Sequence, residues 1–239
     1  MLRKAFTTFE LIVIITVIGI LSVFIIPRQQ NTNLQEATDQ IVKHIRLAQS
    51  LALAQDFYLS EAAQSNDYVN VNQQIKSSTY WFKRWWRIQF HQASVPSDDA
   101  YSVYSDEPSN ADLPDSTYTG QPEVGDLIAT DAHSGQFIVK SIAGLTPESR
   151  LTDVDVESKY NVTISMANCS HVTGNTPARH IVFDYLGRPH CSKGNNDASL
   201  NPFDHLANAQ IRVTLMEKNT LETRDICVEA ESGYIHICG

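Results

Sequence analysis

The sequence predicts an α+β protein in which a long N-terminal α-helix packs on an antiparallel β-sheet or β-sandwich. Three patterns lead to this fold class. Residues 11–26 carry no charged side chain, residues 34–52 repeat apolar side chains at helical spacing, and short strand-like segments follow from residue 80. With 239 residues, the chain is long enough for one sizeable domain and an additional element.

The first part of the chain, MLRKAFTTFELIVIITVIGILSVFIIPR, has the properties of a membrane segment. A helix over residues 6–26 would be about 31 Å long, which matches the apolar thickness of a bilayer. Arg3 and Lys4 precede it, so the positive-inside rule keeps the N-terminus cytoplasmic and exports the rest of the chain. A secretory signal peptide is the competing interpretation, but no small-residue cleavage pattern follows the apolar run.

The same stretch resembles the class III signal of type IV pilins and type II secretion pseudopilins. In that family a prepilin peptidase cuts before a residue that is usually Phe and the new amine is methylated. A glutamate stands four residues further on, and a proline often follows the apolar run. Phe6, Glu10 and Pro27 match these positions, and Ala5 stands where the family usually has Gly. The resemblance implies a leader of residues 1–5, cleavage between Ala5 and Phe6, and N-methylation of Phe6.

Glu10 is the one charged residue inside this apolar stretch, and it is expected to guide subunit docking. A carboxylate in hydrocarbon costs about 2.5–3.5 kcal/mol or more, and the segment offers no Lys or Arg as a partner. Cleavage would create an amine on Phe6, which a neighbouring subunit would present to Glu10. The alternative is that Glu10 lies among the lipid headgroups and is solvated there.

The amphipathic stretch after Pro27 is expected to continue the same helix, giving one helix over residues 6–57 with residues 6–26 as the transmembrane and assembly segment. Pro27 lacks the amide hydrogen that the helix needs, so a kink is expected there. The apolar stripe of the second half is narrow and rich in alanine, and it is expected to pack on the sheet. It consists of Leu34, Ala37, Ile41, Ile45, Ala48 and Ala52.

Residues 58–239 are expected to form a β-rich globular domain. The candidate strands are residues 80–90, 101–105, 136–142, 160–166, 180–185, 210–216, 225–229 and 233–237, with a hairpin turn at residues 231–233 between the last two. Residues 93–131 are rich in Asp, Ser, Pro and Gly, so this stretch is expected to be a loop insertion within the domain.

Two segments of this domain, HIVFDYLGRPHC and ICVEAESGYIHIC, narrow the resemblance to the GspH/FimT group of minor pseudopilins and minor pilins. Phe183 lies in a strand, Gly187, Arg188 and Pro189 form a turn, and Gly233 lies in a terminal hairpin. The resemblance implies the β-sandwich domain of that group.

Four cysteines in the C-terminal third of an exported chain suggest disulfides. The preferred pairs are Cys169–Cys191 and Cys227–Cys238, because the second pair flanks the terminal hairpin; three connectivities are open in principle. A zinc site is the alternative, since His171 and His190 lie beside Cys169 and Cys191. The spacing matches no common zinc module, and no metal site is expected.

Other ligand and reaction classes find less support. Asp106, Glu107, Asp112 and Asp115 are oxygen donors suited to calcium, but they lack a calcium-loop spacing and are interpreted as a solvated loop. The WFKRWWRIQFH stretch is interpreted as a packed strand rather than a nucleic-acid strip, and the net charge of −9 and pI of about 5.3 also argue against nucleic acid. No catalytic motif is present, so neither an enzyme nor a cofactor is expected.

The sequence therefore predicts a minor pilin or pseudopilin, a structural subunit at or near the tip of a type IV pilus or type II secretion pseudopilus. Expected partners are the prepilin peptidase and methyltransferase, other pilins or pseudopilins, and the inner membrane. The domain is expected in the periplasm or extracytoplasmic space. Two alternatives remain open: a membrane-anchored adhesin or receptor, and a DNA-uptake minor pilin outside the filament shaft.

Overall fold

The structure, a computed structural model, describes residues 7–25, 32–55, 81–91, 99–107, 118–167, 169, 179–192 and 201–238. Contacts between Cα atoms divide the chain into two compact units, Met1–Thr32 and Asn33–Gly239. The fold class is α+β with antiparallel sheets, as predicted.

Helix α1 (Thr8–Ile25) lies in the first unit and helix α2 (Thr32–Ala54) precedes the sheets of the second. Both helices fall within the single helix predicted over residues 6–57, and its continuity stays a prediction because residues 26–31, which include Pro27, lie outside the described residues. None of the helices in the described part of the chain combines the length and apolarity needed to cross a membrane.

The second unit contains two antiparallel sheets. The five-stranded sheet has the order β3-β2-β1-β5-β6 and consists of β1 (Trp86–His91), β2 (Ala100–Ser105), β3 (Leu127–Ile128), β5 (His180–Phe183) and β6 (Pro189–Ser192). The four-stranded sheet has the order β4-β7-β8-β9 and consists of β4 (Val162–Ala167), β7 (Ile211–Glu217), β8 (Thr223–Val228) and β9 (Ile235–Cys238). A short helix, α3 (Val156–Tyr160), precedes β4.

The predicted strands are confirmed in most places, and two differ for local reasons. Residues 81–84 form a 3₁₀ helix, so β1 begins only at Trp86 and the strand predicted from residue 80 is wrong over residues 81–84. Residues 136–142, which were predicted as a strand, do not form one. The chain turns at this point, and the Val139 N–H donates to the Phe137 carbonyl two residues earlier. Strands β3 and β6 and helix α3 were not predicted.

The hydrophobic core lies between α2 and the two sheets, and all six residues of the predicted stripe of α2 are buried. Their small alanines let the helix backbone approach the sheets, whose buried side chains belong to the same cluster. On β7 the alternation is regular: Ile211, Val213 and Leu215 are buried, while Arg212 and Met216 are exposed.

A buried polar network also fixes α2. The Tyr101 hydroxyl on β2 accepts a hydrogen bond from Gln40 Nε2 at 3.0 Å and lies 2.7 Å from His44 Nδ1, to which it therefore donates. The Tyr160 hydroxyl donates to Gln40 Oε1 at 2.7 Å. The other ring nitrogen of His44 faces Asp131 at 3.7 Å, and Asp131 also forms an ion pair with Lys43. A neutral His44 ring with its proton on Nε2 fits this arrangement, in which Nε2 faces Asp131 but forms no hydrogen bond with the described residues.

We expect His44 to make the protein less stable in mild acid. Burial, assisted by the neighbouring charge of Lys43, lowers the pKa of His44 from 6.5 to about 4. Between these values the unfolded chain binds a proton at His44 and the folded chain does not, so the free energy of unfolding falls as the pH falls. From pH 6.5 to 4 this loss should reach about 3 kcal/mol.

The measurement is urea unfolding of the full chain in detergent micelles across that pH range. His44→Gln should reduce the pH dependence of the free energy of unfolding by about 3 kcal/mol and leave the part that comes from His91 and His180, whose pKa values burial also lowers. The matched control, His133→Gln, changes an exposed histidine and should leave the pH dependence intact. Equal pH dependence in the native protein and His44→Gln would contradict the assignment.

Candidate functional site

Glu10, the predicted docking residue, closes the N-terminus of α1. The Thr7 hydroxyl accepts a hydrogen bond from the Glu10 N–H at 3.3 Å, and Glu10 Oε2 accepts bonds from the Thr7 N–H and hydroxyl at 3.0 Å each. This reciprocal pattern is a capping box, with Thr7 as the N-cap residue and Glu10 at the third helical position. The carboxylate therefore has hydrogen-bond donors within its own chain.

The other residues of the predicted processing signal are not placed by the structure. Ala5 and Phe6, the predicted cleavage pair, lie outside the described residues, as does Pro27, the predicted kink. Gly19 lies in α1, where a methyl group added to it would have no heavy atom within 4 Å.

The two glycine turns that carried the narrower resemblance meet at α2. Gln49 Nε2 on α2 donates to the carbonyl oxygen of Gly187 at 2.9 Å and to that of Gly233 at 3.0 Å. Gly187 lies between β5 and β6, and Gly233 lies between β8 and β9, so one side-chain amide joins a turn of each sheet to the helix. We call Gln49, Gly187 and Gly233 the glycine clamp.

Only glycine fits at position 233 of the clamp. Its φ is +65°, which favours glycine, and a Cβ built there would lie 2.1 Å from the Gly187 carbonyl oxygen and 2.5 Å from Gln49 Nε2. The shorter contact is with a backbone carbonyl, which cannot rotate away as the Gln49 side chain could. Close packing of the two turns therefore depends on the absence of a side chain at Gly233.

Asp184 holds the β5–β6 turn in shape. Its fully buried carboxylate accepts hydrogen bonds from the Leu186 and Arg188 N–H groups, each at 2.9 Å, from Arg188 Nε at 2.8 Å and from His190 Nε2 at 3.2 Å. Burial alone would raise the pKa of Asp184, but the bonds from His190 and Arg188 hold it below its ordinary value. The carboxylate thus presents the Gly187 carbonyl to Gln49 in a fixed position.

Both preferred disulfides are present. Cys169, which follows β4, is bonded to Cys191 on β6, and this bond joins the two sheets. Cys227 and Cys238 join β8 to β9, with Cα atoms 5.8 Å apart. With Cys169 and Cys191 oxidised, neither thiol can serve the alternative zinc site, and His190 is bonded to Asp184 instead. His171 lies outside the described residues.

Two of the four acidic residues interpreted as a solvated loop, Asp106 and Glu107, are instead buried and take part in ion pairs, so the interpretation is wrong for them. Glu107 lies 2.9 Å from Arg84, and Asp106 lies 3.6 Å from Arg87. Asp112 and Asp115 lie outside the described residues. Within the described ranges, no group of three His, Cys, Asp or Glu side chains is arranged to hold a metal ion. The basic side chains of the WFKRWWRIQFH stretch thus contribute to packing: β1 is buried on both faces up to Phe90.

The linear arrangement of Asp131, His44 and Tyr101 is of the kind that moves protons in catalytic sites. Tyr101, however, is completely buried, and burial raises the pKa of its hydroxyl well above the ordinary value. A substrate could not reach this hydroxyl without opening the core. The three groups therefore position α2 on β2.

Sequence reasoning missed the capping box and the glycine clamp. Thr7-Thr8-Phe9-Glu10 before an apolar run is itself a capping-box signature and was readable from the sequence. Gln49 carries no such signal, because its partners are backbone carbonyls distant in the chain.

The chain matches no protein-family model, and comparisons with curated proteins and with solved structures find no similar protein.

We expect Gly233→Ala to disrupt the glycine clamp. The substitution combines backbone strain of about 1–2 kcal/mol with a steric overlap of about 1–3 kcal/mol, so the free energy of unfolding should fall by about 2–5 kcal/mol. Equilibrium unfolding in urea measures this loss.

Gly135→Ala is the matched control for this substitution. Gly135 has a similar φ of +71°, but an added Cβ would meet nothing within 4 Å. This variant should lose only the strain component. Equal losses in the two variants would show that the contact between the two turns contributes nothing.

Proposed function

We propose that this protein is a minor pilin or pseudopilin of the GspH/FimT type, processed by a prepilin peptidase and assembled at or near the tip of a filament. The filament would be a type IV pilus or a type II secretion pseudopilus. The observation that carries the proposal is the order of parts along the chain. An apolar helix with Glu10 in its first turn comes first, and a second helix packed on antiparallel sheets follows it.

The processing part of the proposal rests on the N-terminal sequence. Phe6 and Glu10 match positions of the prepilin signal, Ala5 stands where the family usually has Gly, and the uncharged run that follows is suited to an inner-membrane anchor. Cleavage would remove residues 1–5 and leave an amine on Phe6. That amine, methylated by the peptidase, would be the partner of Glu10 on a neighbouring subunit.

The glycine clamp supports the narrower assignment to the GspH/FimT type. Gly187 and Gly233 were singled out because they resemble residues of that group, and both contact the same α2 side chain. The two disulfides are suited to an extracytoplasmic compartment, where thiols are oxidised. The proposed location is therefore a single membrane pass with the domain in the periplasm. A tip position follows from the large domain, which would obstruct the regular packing of a filament shaft.

One observation favours a second candidate, a membrane-anchored adhesin or receptor that does not polymerise. The capping box gives the Glu10 carboxylate hydrogen-bond donors within its own chain, so the carboxylate does not depend on a neighbouring subunit. In such a protein the leader would remain uncut. A DNA-uptake minor pilin is a variant of the first candidate and shares its processing.

The first test is the mass of the intact protein isolated from membranes, with and without a co-expressed prepilin peptidase. We expect a chain that begins at methylated Phe6 only when the peptidase is present. Ala5→Gly should be cut at least as completely, because the family usually has Gly at this position. A chain that still begins at Met1 would overturn the proposal and favour the permanent anchor.

The second test separates the cap from the charge of Glu10. Glu10→Gln can still accept the hydrogen bond from Thr7 but carries no charge, whereas Thr7→Ala removes the N-cap hydroxyl and keeps the charge. If Glu10 pairs with an amine, Glu10→Gln should insert normally yet reduce incorporation into filaments at least tenfold. Thr7→Ala should incorporate nearly normally.

The readout is the amount of protein in sheared filaments relative to the membrane fraction. Normal incorporation of Glu10→Gln would contradict the role of the charge, and loss in Thr7→Ala alone would assign Glu10 to helix capping.

A further inference from the structure

Strand β9 forms one edge of the four-stranded sheet, and the hydrogen bonds of its hairpin show which of its backbone groups face away from the sheet. The Glu229 N–H donates to the Tyr234 carbonyl at 3.0 Å, so hydrogen-bonded pairing between β8 and β9 includes this pair. In an antiparallel ladder such pairs alternate with non-hydrogen-bonded pairs. The N–H and carbonyl groups of Ile235 and Ile237 therefore point outward from the edge.

Two other hydrogen bonds agree with this assignment. Arg46 Nη2 on α2 donates to the Ile235 carbonyl at 2.8 Å, which requires that carbonyl to point away from β8. On the other side of β8, the Glu217 N–H donates to the Glu222 carbonyl at 2.9 Å. By the same alternation, the even-numbered residues of β8 bond to β7 and its odd-numbered residues bond to β9.

Two other strand edges of the domain are occupied by the chain itself. On β4, at the opposite edge of the same sheet, the Ile164 N–H donates to the buried carboxylate of Asp99 at 2.7 Å. On β6, at an edge of the five-stranded sheet, the Cys191 N–H donates to the His205 carbonyl at 2.8 Å. At Ile237, in contrast, none of the described residues bonds to the outward N–H or carbonyl.

The side chains beside this free edge are exposed on both faces of the sheet. On the inner face Ile237 is 43% exposed, whereas Ile235, two residues earlier on the same face, is buried. On the outer face Tyr234 is 62% exposed and stacks on His236, with the ring centroids 5.3 Å apart. The edge of β9 is thus open in its backbone groups and in its side chains.

We propose that the free edge of β9 binds an extended segment of another protein, which adds an antiparallel strand to the four-stranded sheet. One residue of that segment would exchange both main-chain hydrogen bonds with Ile237, and its apolar side chain would lie beside the Ile237 side chain. The inference goes beyond the filament role, because it assigns a partner to a strand that the processing signal does not involve.

The edge selects an extended protein chain over other partners. A helix satisfies its own backbone groups, whereas an extended chain carries the unpaired donors and acceptors that complement those of Ile237. Edges that are not used for binding are commonly protected by lysine or proline, and β9 contains neither. The β8–β9 turn carries Glu229 and the exposed Glu231, so charge complementarity favours a segment with a basic residue and disfavours nucleic acid.

The experiment is an NMR titration of the full chain in detergent micelles with a capped seven-residue peptide that alternates threonine and valine between two terminal lysines. In the free protein we expect rapid solvent exchange of the Ile237 amide and slow exchange of the His236 amide, which bonds to β8. Saturable shifts of the amides in residues 234–238 should give a dissociation constant in the millimolar range. At about ten times that peptide concentration, exchange at Ile237 should slow at least fivefold and exchange at His236 should stay the same.

Two methylated peptides test the main-chain hydrogen bonds. N-methylation of the valines removes the N–H groups that would bond to Ile237, and it should weaken binding at least tenfold. N-methylation of the threonines is the matched control, because their N–H groups would face away from β9. This second peptide should bind within twofold of the parent peptide.

Two variants of the protein test the exposed side chain. Ile237→Lys places a charge at the edge, as natural edge strands do to prevent pairing, and it should weaken binding at least tenfold. The matched control, Met216→Lys, adds the same charge at a comparably exposed position on β7, inside the sheet, and should bind like the native protein. The amide spectrum of each variant reports whether it is folded.

Four outcomes would overturn the proposal. Slow exchange of the Ile237 amide in the free protein at every concentration would show that the edge is already paired within the chain. Exchange that slows as the protein concentration rises, without peptide, would assign the edge to a second copy of this chain. Equal binding of the two methylated peptides would exclude antiparallel main-chain pairing, and native-like binding by Ile237→Lys would place the peptide elsewhere.

Discussion

The packing of α2 against both sheets is the constraint on which the rest of the second unit depends. Its buried stripe belongs to the same cluster as the buried residues of the two sheets, so the helix completes a core that neither sheet encloses alone. Burial of large apolar side chains such as Leu34, Ile41 and Ile45 contributes about 1.5–3 kcal/mol each. This contribution is not directional, and by itself it would allow the helix to slide or rotate.

The polar contacts of α2 are directional and fix the position of the helix along and around its own axis. Gln40 and His44 bond to Tyr101 on β2, Arg46 Nη2 donates to the Ile235 carbonyl on β9 at 2.8 Å, and Gln49 closes the glycine clamp. These contacts bind α2 to both sheets at several positions along the length of the helix. An axial slip by one helical turn would leave several buried donors and acceptors unpaired, at a cost of about 1–3 kcal/mol each. Apolar burial thus holds α2 in the core, and the polar contacts set its register.

Much of this arrangement was predictable from local patterns, because local patterns encode burial. Ile41 and Ile45 on α2 and Ile211 and Val213 on β7 repeat at the periods of a helix and a strand, and all four are buried as predicted. The disulfide between Cys227 and Cys238 was also readable, since both flank one hairpin. The contacts that could not be predicted join residues far apart in the sequence, such as Gln49 and Gly233, or depend on the backbone path.

The stretch around Phe137 illustrates this limit. Its composition is typical of a strand, yet Phe137 bridges Thr130 on one side and Arg150 on the other, and the chain curls between them. That path places Phe137 in the lining of one cavity together with Glu123 and Asp126. Composition alone assigned residues 93–131, which include Glu123 and Asp126, to a loop insertion, because composition contains no information about which distant apolar side chains lie beside them. The cavity appears only when the two stretches are placed side by side.

The positions of the two crosslinks also determine how the domain would carry a mechanical load. Both disulfides lie within residues 169–238, so α2 is outside every covalent loop of the chain. A pull on the N-terminal end reaches α2 first, and α2 resists it through side-chain packing and hydrogen bonds alone. The Cys169–Cys191 bond would keep the two sheets covalently tethered to each other after the helix had been drawn out. Under tension, the protein would therefore yield first at α2, and the loss of this helix would open the core that it shares with both sheets.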